Sequence, residues 1–265
     1  MPEGDTIFRA ARTLNEALAG RTVTHFESVF SRIARAADDL TLRGRAIERV
    51  DARGKHLLMW FSGDLVLRTH LRMHGVWHLY RRGARWRHPH SDMRIVIGTP
   101  EYEAVAFNVP VAEWIPAGEL ERNPALGSLG PDILADEFDT ADAVQRIATS
   151  PDIDIAEALL NQQAIAGIGN IFKCEALYAS GLNPFTSVAD FSREDIARVV
   201  ERARRLMRAS VAGRRLIFSV YGRGGRPCRR CGATIARRKE GDEARVTYWC
   251  PRCQERRVAA KARTV

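Results

Sequence analysis

The sequence predicts an α+β chain of two domains: a β-rich first part, then a helical part that ends in a small metal-stapled hairpin. Three observations carry this. Short β-rich runs punctuated by Gly and Pro fill residues 21–109. Apolar positions at helical spacing recur through residues 155–207. Two Cys-x2-Cys pairs, Cys228/Cys231 and Cys250/Cys253, stand eighteen residues apart near the end. A chain of 265 residues has room for two cores.

The first element is an amphipathic helix, because Ile7, Ala11, Leu14 and Leu18 share one face and Gly20 is a stop signal. Residues 56–61, 65–71, 76–80, 93–98 and 103–107 have strand composition, and so many short strands with turn signals predict an antiparallel sandwich. Pro116, Gly118, Pro124, Gly127 and Gly130 make residues 111–131 a connector. The expected division is 1–110, the connector, a helical domain over 132–222, and a hairpin with a basic tail over 223–265. In the helical part, Ile155, Ala158, Leu159 and Gln162 lead into Gly167-Ile168-Gly169-Asn170. A short helix then runs to Ala179, closed by Gly181. Ser192, with Asp195 three residues on, caps a longer helix that buries Ile196, Val199, Val200, Ala203, Leu206 and Met207 and stops near Gly213. The tail, 254–265, is expected to be loose.

The net charge is +9 and the pI about 9.8, which points to a polyanionic partner. The distribution says more than the total. Residues 193–265 carry 21 basic and 7 acidic side chains, whereas 111–160 carry 2 and 11. A basic last quarter behind an acidic connector suggests a face made for phosphate. Only four of the 41 basic residues are lysines, which singles out Lys55. No apolar run approaches the ~18 residues of a membrane span, and the N-terminus lacks a signal-peptide pattern. The expectation is a cytoplasmic monomer with no membrane partner.

Four thiolates in two Cys-x2-Cys knuckles close a tetrahedral zinc site with no open position, so the metal is structural. The alternative, disulfides, does not suit a cytosolic chain. The stretch between the knuckles can form a β-hairpin, made basic by Arg237, Arg238, Lys239 and Arg245. The fifth thiol, Cys174, reads as a small buried apolar group. Gly167-Ile168-Gly169-Asn170 is not a dinucleotide fingerprint, since Phe172 takes the last glycine position. It is either a phosphate-binding helix start or a plain connector. At the other end, removal of Met1 leaves Pro2 with a secondary amine beside Glu3. An α-amino group titrates near ~8, so a useful fraction is unprotonated at neutral pH. Such an amine can attack a sugar carbonyl carbon and form an iminium. On local sequence alone an ordinary helix start is the better fit.

Together, Pro2-Glu3-Gly4, Arg53-Gly54-Lys55-His56-Leu57, His70-Leu71-Arg72-Met73, the stretch 159–170 and the four cysteines after Tyr221-Gly222-Arg223 resemble the formamidopyrimidine-DNA glycosylase and endonuclease VIII family, most closely its endonuclease VIII branch. The resemblance runs the length of the chain. It implies an N-terminal helix with a β-sandwich, a helix-two-turn-helix domain and a zinc-finger hairpin, with damaged double-stranded DNA as partner and single strands left open. It implies a nucleoid-associated bifunctional DNA glycosylase and abasic-site lyase with one structural zinc and no diffusible cofactor. It places the nucleophile on Pro2, the general acid on Glu3 and a DNA-facing lysine on Lys55. Asn170 and Arg245 match the residues holding the phosphates around the lesion, and Arg72, Met73 and His74 match the side chains filling the gap left by an extruded nucleotide. Two departures stand out: Thr6 replaces a second first-turn glutamate, and Asn161 replaces an aspartate. They keep open a catalytically impaired DNA-binding member. An oxidised-purine enzyme is a further alternative to the expected preference for oxidised pyrimidines.

Overall fold

A computed structural model describes residues 2–240 and 245–256. Met1 and most of the expected basic tail, 257–265, lie outside the described residues. The chain forms two compact units, Met1–Ser128 and Leu129–Val265.

The first unit opens with α1 (Gly4–Leu18), whose buried positions Ile7, Ala11, Leu14 and Leu18 are the expected apolar face. Then follow β1 (His25–Ser28), α2 (Ser31–Asp39), β2 (Ile47–Arg53), β3 (His56–Phe61), β4 (Leu65–His70), β5 (Val76–Arg81), β6 (Met93–Gly98), β7 (Tyr102–Phe107), β8 (Val111–Pro116) and the short α3 (Pro124–Gly127). Two four-stranded antiparallel sheets result, in the orders β1-β6-β7-β5 and β2-β3-β4-β8. Leu57, Met59 and Leu67 from one sheet meet Ile95, Ala104 and Ala106 from the other, and the apolar face of α1 joins the same core. Residues 111–116, expected in the connector, instead supply β8, which pairs with β4 from Val111 opposite His70 to Pro116 opposite Leu65. The prolines that mark the segment bracket this edge strand instead of interrupting it.

The second unit contains α4 (Thr140–Ala148), α5 (Ile155–Ala158), α6 (Asn170–Ser180), α7 (Arg193–Val211), β9 (Ala236–Glu240) and β10 (Arg245–Trp249). The Ser192 hydroxyl accepts the Asp195 N–H at 3.1 Å, the expected cap of α7. Gly181, left-handed at φ 70°, closes α6. The helix expected to run from Ile155 to Gln162 is a single turn, continued by irregular hydrogen-bonded turns. The Gln162 side chain explains the break: its amide donates to the carbonyls of Leu160 and Ile168 and accepts the Gly167 N–H, binding 160–168 into a compact turn. Gly167 has φ +101°, and a Cβ there would meet Ile133 at 3.1 Å, so this turn requires glycine.

Candidate active site and metal centre

In the first unit the geometry starts from two hydrogen bonds. The Gly20 N–H donates to the Ile47 carbonyl at 2.7 Å, and the Asn15 carboxamide oxygen accepts the Val50 N–H at 2.8 Å. The helix α1 therefore runs antiparallel to β2. From Asn15 back to Glu3 the helix spans about 18 Å, and from Val50 to the turn at Gly54-Lys55 the strand spans about 13 Å. Glu3 and Lys55 thus both lie toward the end of the sheet formed by the two-residue turn Gly54-Lys55. Glu3 is the N-cap of α1: it is 1% exposed, and its carbonyl accepts the N–H groups of Thr6 and Ile7. A buried carboxylate at the positive end of a helix is an electrostatically favoured arrangement. Pro2 precedes it, half-buried. The Thr6 hydroxyl donates to Asp5 at 3.3 Å, and Asp5 also faces Arg9 at 3.8 Å.

The end of β4 reaches the same edge. Cross-strand partners His56 and His70 stand edge-to-face with centroids 4.8 Å apart. Burial pushes His56 down to about 3, with His70 and Arg68 adding to it, and burial with the charges of Arg72 and Lys55 pushes His70 down to about 4. Both imidazoles are neutral at pH 7. The buried Arg68 guanidinium donates to His56 Nδ1 at 2.9 Å, leaving the proton on Nε2, and pairs with Glu113 at 2.6 Å. Burial alone would raise the Glu113 pKa, but the Arg68 and Asn123 hydrogen bonds hold it below the usual range. Arg68 was not singled out by sequence reasoning, and His70 entered it only inside a matched motif without a role, because their roles depend on the register of β3, β4 and β8.

Arg72, Met73 and His74 are exposed in the loop that follows, Met73 at 55%. Arg72 has φ 50° and its N–H donates to His70 Nδ1. The Gly75 N–H bonds the Leu71 carbonyl at 2.9 Å, and a Cβ on Gly75 would lie 2.5 Å from that oxygen, so the loop is tight and its three side chains point away from the core.

In the second unit α6 seats the cysteine hairpin along its length. The Asn170 amide donates to the Val246 carbonyl at 2.9 Å, next in the chain to Arg245. Lys173, 1% exposed, donates to the Thr247 hydroxyl at 2.5 Å, and the Cys174 sulfur accepts the Tyr248 N–H at 3.5 Å. The Glu175 carboxylate accepts three backbone N–H groups, from Ser219, Val220 and Tyr221, at 2.8–2.9 Å. Asn170 is 4% exposed with a buried carboxamide oxygen that has no hydrogen-bond partner among the described residues. Its side chain thus turns to the hairpin and not outward, as expected from a helix-start phosphate site. Lys173, Glu175 and Asn183 were missed because their partners lie more than forty residues away, out of reach of any local pattern.

The sulfur atoms of Cys228, Cys231, Cys250 and Cys253 lie within 4.8 Å of one another. Tetrahedral zinc with ~2.3 Å bonds to sulfur requires sulfurs about 3.8 Å apart. The Cys231–Cys250 and Cys228–Cys253 separations of 3.5 and 3.9 Å fit it. The N–H groups of Arg230 and Cys253 point at Cys228 and Cys250 sulfur, as thiolate ligands need. The four cysteines suit one zinc ion and leave no open position for chemistry.

Family models match the chain in three consecutive segments: the formamidopyrimidine-DNA glycosylase N-terminal domain over 1–108, the formamidopyrimidine-DNA glycosylase H2TH domain over 129–220, and the zinc finger found in FPG and IleRS over 225–256. Endonuclease 8 2 of Mycobacterium tuberculosis is 38% identical over 270 residues, covering 96% of this chain and 100% of the relative. The DNA-(apurinic or apyrimidinic site) lyase Nei2 of Mycolicibacterium smegmatis is 36% identical, covering 96% and 99%. The fold matches that of the Lactococcus lactis formamidopyrimidine DNA glycosylase bound to abasic-site DNA, with a TM-score of 0.83 at 23% identity over 96% of this chain and 100% of the other. Three matched segments in this order, with relatives of this identity along the whole length, make the chain a member of the formamidopyrimidine-DNA glycosylase and endonuclease 8 family of DNA-repair glycosylases and lyases.

Proposed function

We propose that the chain removes oxidised bases from DNA and nicks the resulting abasic site, with Pro2 as nucleophile, Glu3 as proton carrier and Lys55 facing the DNA. The observation that carries the reading is the antiparallel run of α1 along β2, fixed by the Gly20–Ile47 and Asn15–Val50 bonds, which puts Glu3 toward the Lys55 end of the strand. With Met1 removed, the Pro2 nitrogen attacks C1′ of the damaged nucleotide while the bond from C1′ to the base breaks. Glu3 supplies a proton to the sugar ring oxygen as the ring opens and the iminium forms. Loss of a C2′ proton then expels the 3′ phosphate, which nicks the strand. His70 and Lys55 offer a neutral imidazole and a cation at that edge for the adjacent phosphate. Arg72, Met73 and His74 supply the exposed side chains that replace an extruded base. Asn170 and Arg245 hold backbone phosphates, Asn170 by exchanging the Val246 carbonyl for a phosphate oxygen. Zinc, held by the four cysteines, fixes the hairpin and takes no part in the reaction. The protein acts as a monomer on damaged duplex DNA in the nucleoid.

Borohydride trapping tests the reading. An abasic duplex incubated with the protein and borohydride should give a covalent adduct, lost when Met1 or a tag blocks the Pro2 amine while DNA binding persists. Intact binding without any adduct would instead favour a member that kept the DNA grip but lost catalysis, the reading Thr6 supports.

A further inference from the structure

A second surface in the first unit has the chemistry of a nucleic-acid site. Strands β5 and β6 both run antiparallel to β7 from opposite sides, so they are parallel to each other, and residues 82–92 must cross over β7 to join them. The crossover lies on the outer face of the sheet, where Tyr80, Val105 and Phe107 form a cluster of their own. The sheet separates it from the core that seats α1, built on Ala104 and Ala106 of the same strand.

The crossover presents a planar aromatic stack. Trp86 rests edge-on against Phe107 at 5.7 Å, and its indole N–H donates to Glu103 at 3.3 Å. The His90 ring lies on Trp86 at 4.3 Å with 29° between planes, and His90 is exposed. His88 stacks on the same Phe107 ring at 4.7 Å. Arg85 and Arg87 flank it, exposed and without an ion-pair partner among the described residues. These groups line an open cleft of about 580 Å³, the size of a small-molecule pocket. The histidines here do not make a metal site: among the described residues the metal-competent group is the four cysteines.

From this arrangement we infer that the crossover loop is an accessory site for single-stranded nucleic acid, taking one unpaired base on the His90–Trp86 stack and its flanking phosphates on Arg85 and Arg87. The stack is what favours a single strand. Bases of a duplex are already stacked on each other and present only phosphates to such a surface, whereas an unpaired base gains an aromatic partner. An acidic protein segment would use the arginines but leave a fixed, solvent-facing ring stack without purpose. The site is independent of the chemistry at Pro2.

The test uses the full-length protein and a fluorescein-labelled, lesion-free oligothymidylate of ten nucleotides. The double variant R85A/R87A should bind it on the order of 10-fold more weakly. Its slope of log affinity against log salt should shrink by about 1.4, the loss of two phosphate contacts on a single strand. His90→Ala should bind several-fold more weakly, and His90→Phe, which keeps a ring at the position, should restore affinity. Nicking of an abasic duplex should be unchanged in all three. Oligothymidylate affinity equal to wild type in R85A/R87A would overturn the site, as would a parallel fall in abasic-duplex binding, which would mark a general electrostatic effect. His90→Phe as weak as His90→Ala would overturn the stacking assignment. Equal competition by an undamaged duplex, or by a polyglutamate peptide, would replace the single strand with that partner.

Discussion

The carboxamide oxygen of Asn15 accepts the backbone N–H of Val50 at 2.8 Å, and this bond fixes the register of α1 along β2. The strand is at the edge of its sheet, with β3 on one side only, so the outward N–H of Val50 depends on a side chain from outside the sheet. The same antiparallel run puts Glu3 toward the Lys55 end of β2. Asn15→Ala should cost about 1 kcal/mol of stability, as for a lost hydrogen bond. It should lower the yield of borohydride-trapped adduct on the order of 10-fold while leaving duplex affinity nearly intact, because misplacing a nucleophile costs rate more than binding. Equal trapping by the variant and the wild type would show that the register of α1 does not position the amine.

Replacing Cys250 with Ser should release zinc and free β9 and β10 from their fold. Arg245 and the Asn170–Val246 bond would then lose their fixed geometry, weakening abasic-duplex binding by about 1–3 kcal/mol. Metal analysis and a binding titration check this together. A variant that retains one zinc per chain would show the ligand set to be wrong.

The neutral state of His56 makes stability depend on pH. Its folded pKa, about 3, lies below the unfolded value of about 6.5. Between these values the unfolded chain binds the extra proton, so stability rises with pH. The contribution is fully present above about pH 6.5 and is lost as pH falls below it, with a slope of at most about 1.4 kcal/mol per pH unit from this group. Urea midpoints at pH 7 and pH 5 should therefore differ, and differ less in His56→Gln. An unchanged difference in that variant would assign the acid sensitivity elsewhere.

Substrate preference follows from a short loop. Only residues 214–220 separate Gly213 from Tyr221, and Glu175 holds the backbone of Ser219 and Val220, which leaves 214–218 between these anchors. Five residues, with Ile217 70% exposed, are too few to fold over a purine and read its edge. Phe107 and Val109 are fully buried, whereas Arg72 to His74, the proposed wedge, are exposed. A pocket without edge-reading contacts discriminates by how easily a base unstacks. Thymine glycol and dihydrouracil should be released faster than 8-oxoguanine opposite cytosine in single-turnover assays. The reverse order would move the chain to the purine-directed branch.

The sequence by itself determined whatever depends on local spacing. The α1 face, the Ser192 cap, the Gly181 stop, five strands and the cysteine pairs are all written in residues fewer than about twenty apart, where periodicity and knuckle spacing act directly. The triplet Arg72 to His74 was picked out through the family resemblance and not by local pattern, and all three side chains are exposed. The tertiary structure alone decided how distant segments meet. Residues 111–116 have the prolines of a connector, yet they form β8, because pairing with β4 satisfies backbone groups that local composition does not report. Gln162 reads as a helical position but folds its own chain into a turn once Gly167 is near. The docking of α1 on β2 through Asn15, the neutral His56 on Arg68 and the seating of the hairpin on α6 by Asn170, Lys173 and Glu175 join residues roughly 10 to 80 positions apart. No single stretch of sequence encodes such contacts, since each exists only when burial brings both partners out of water and makes an unpaired polar group costly.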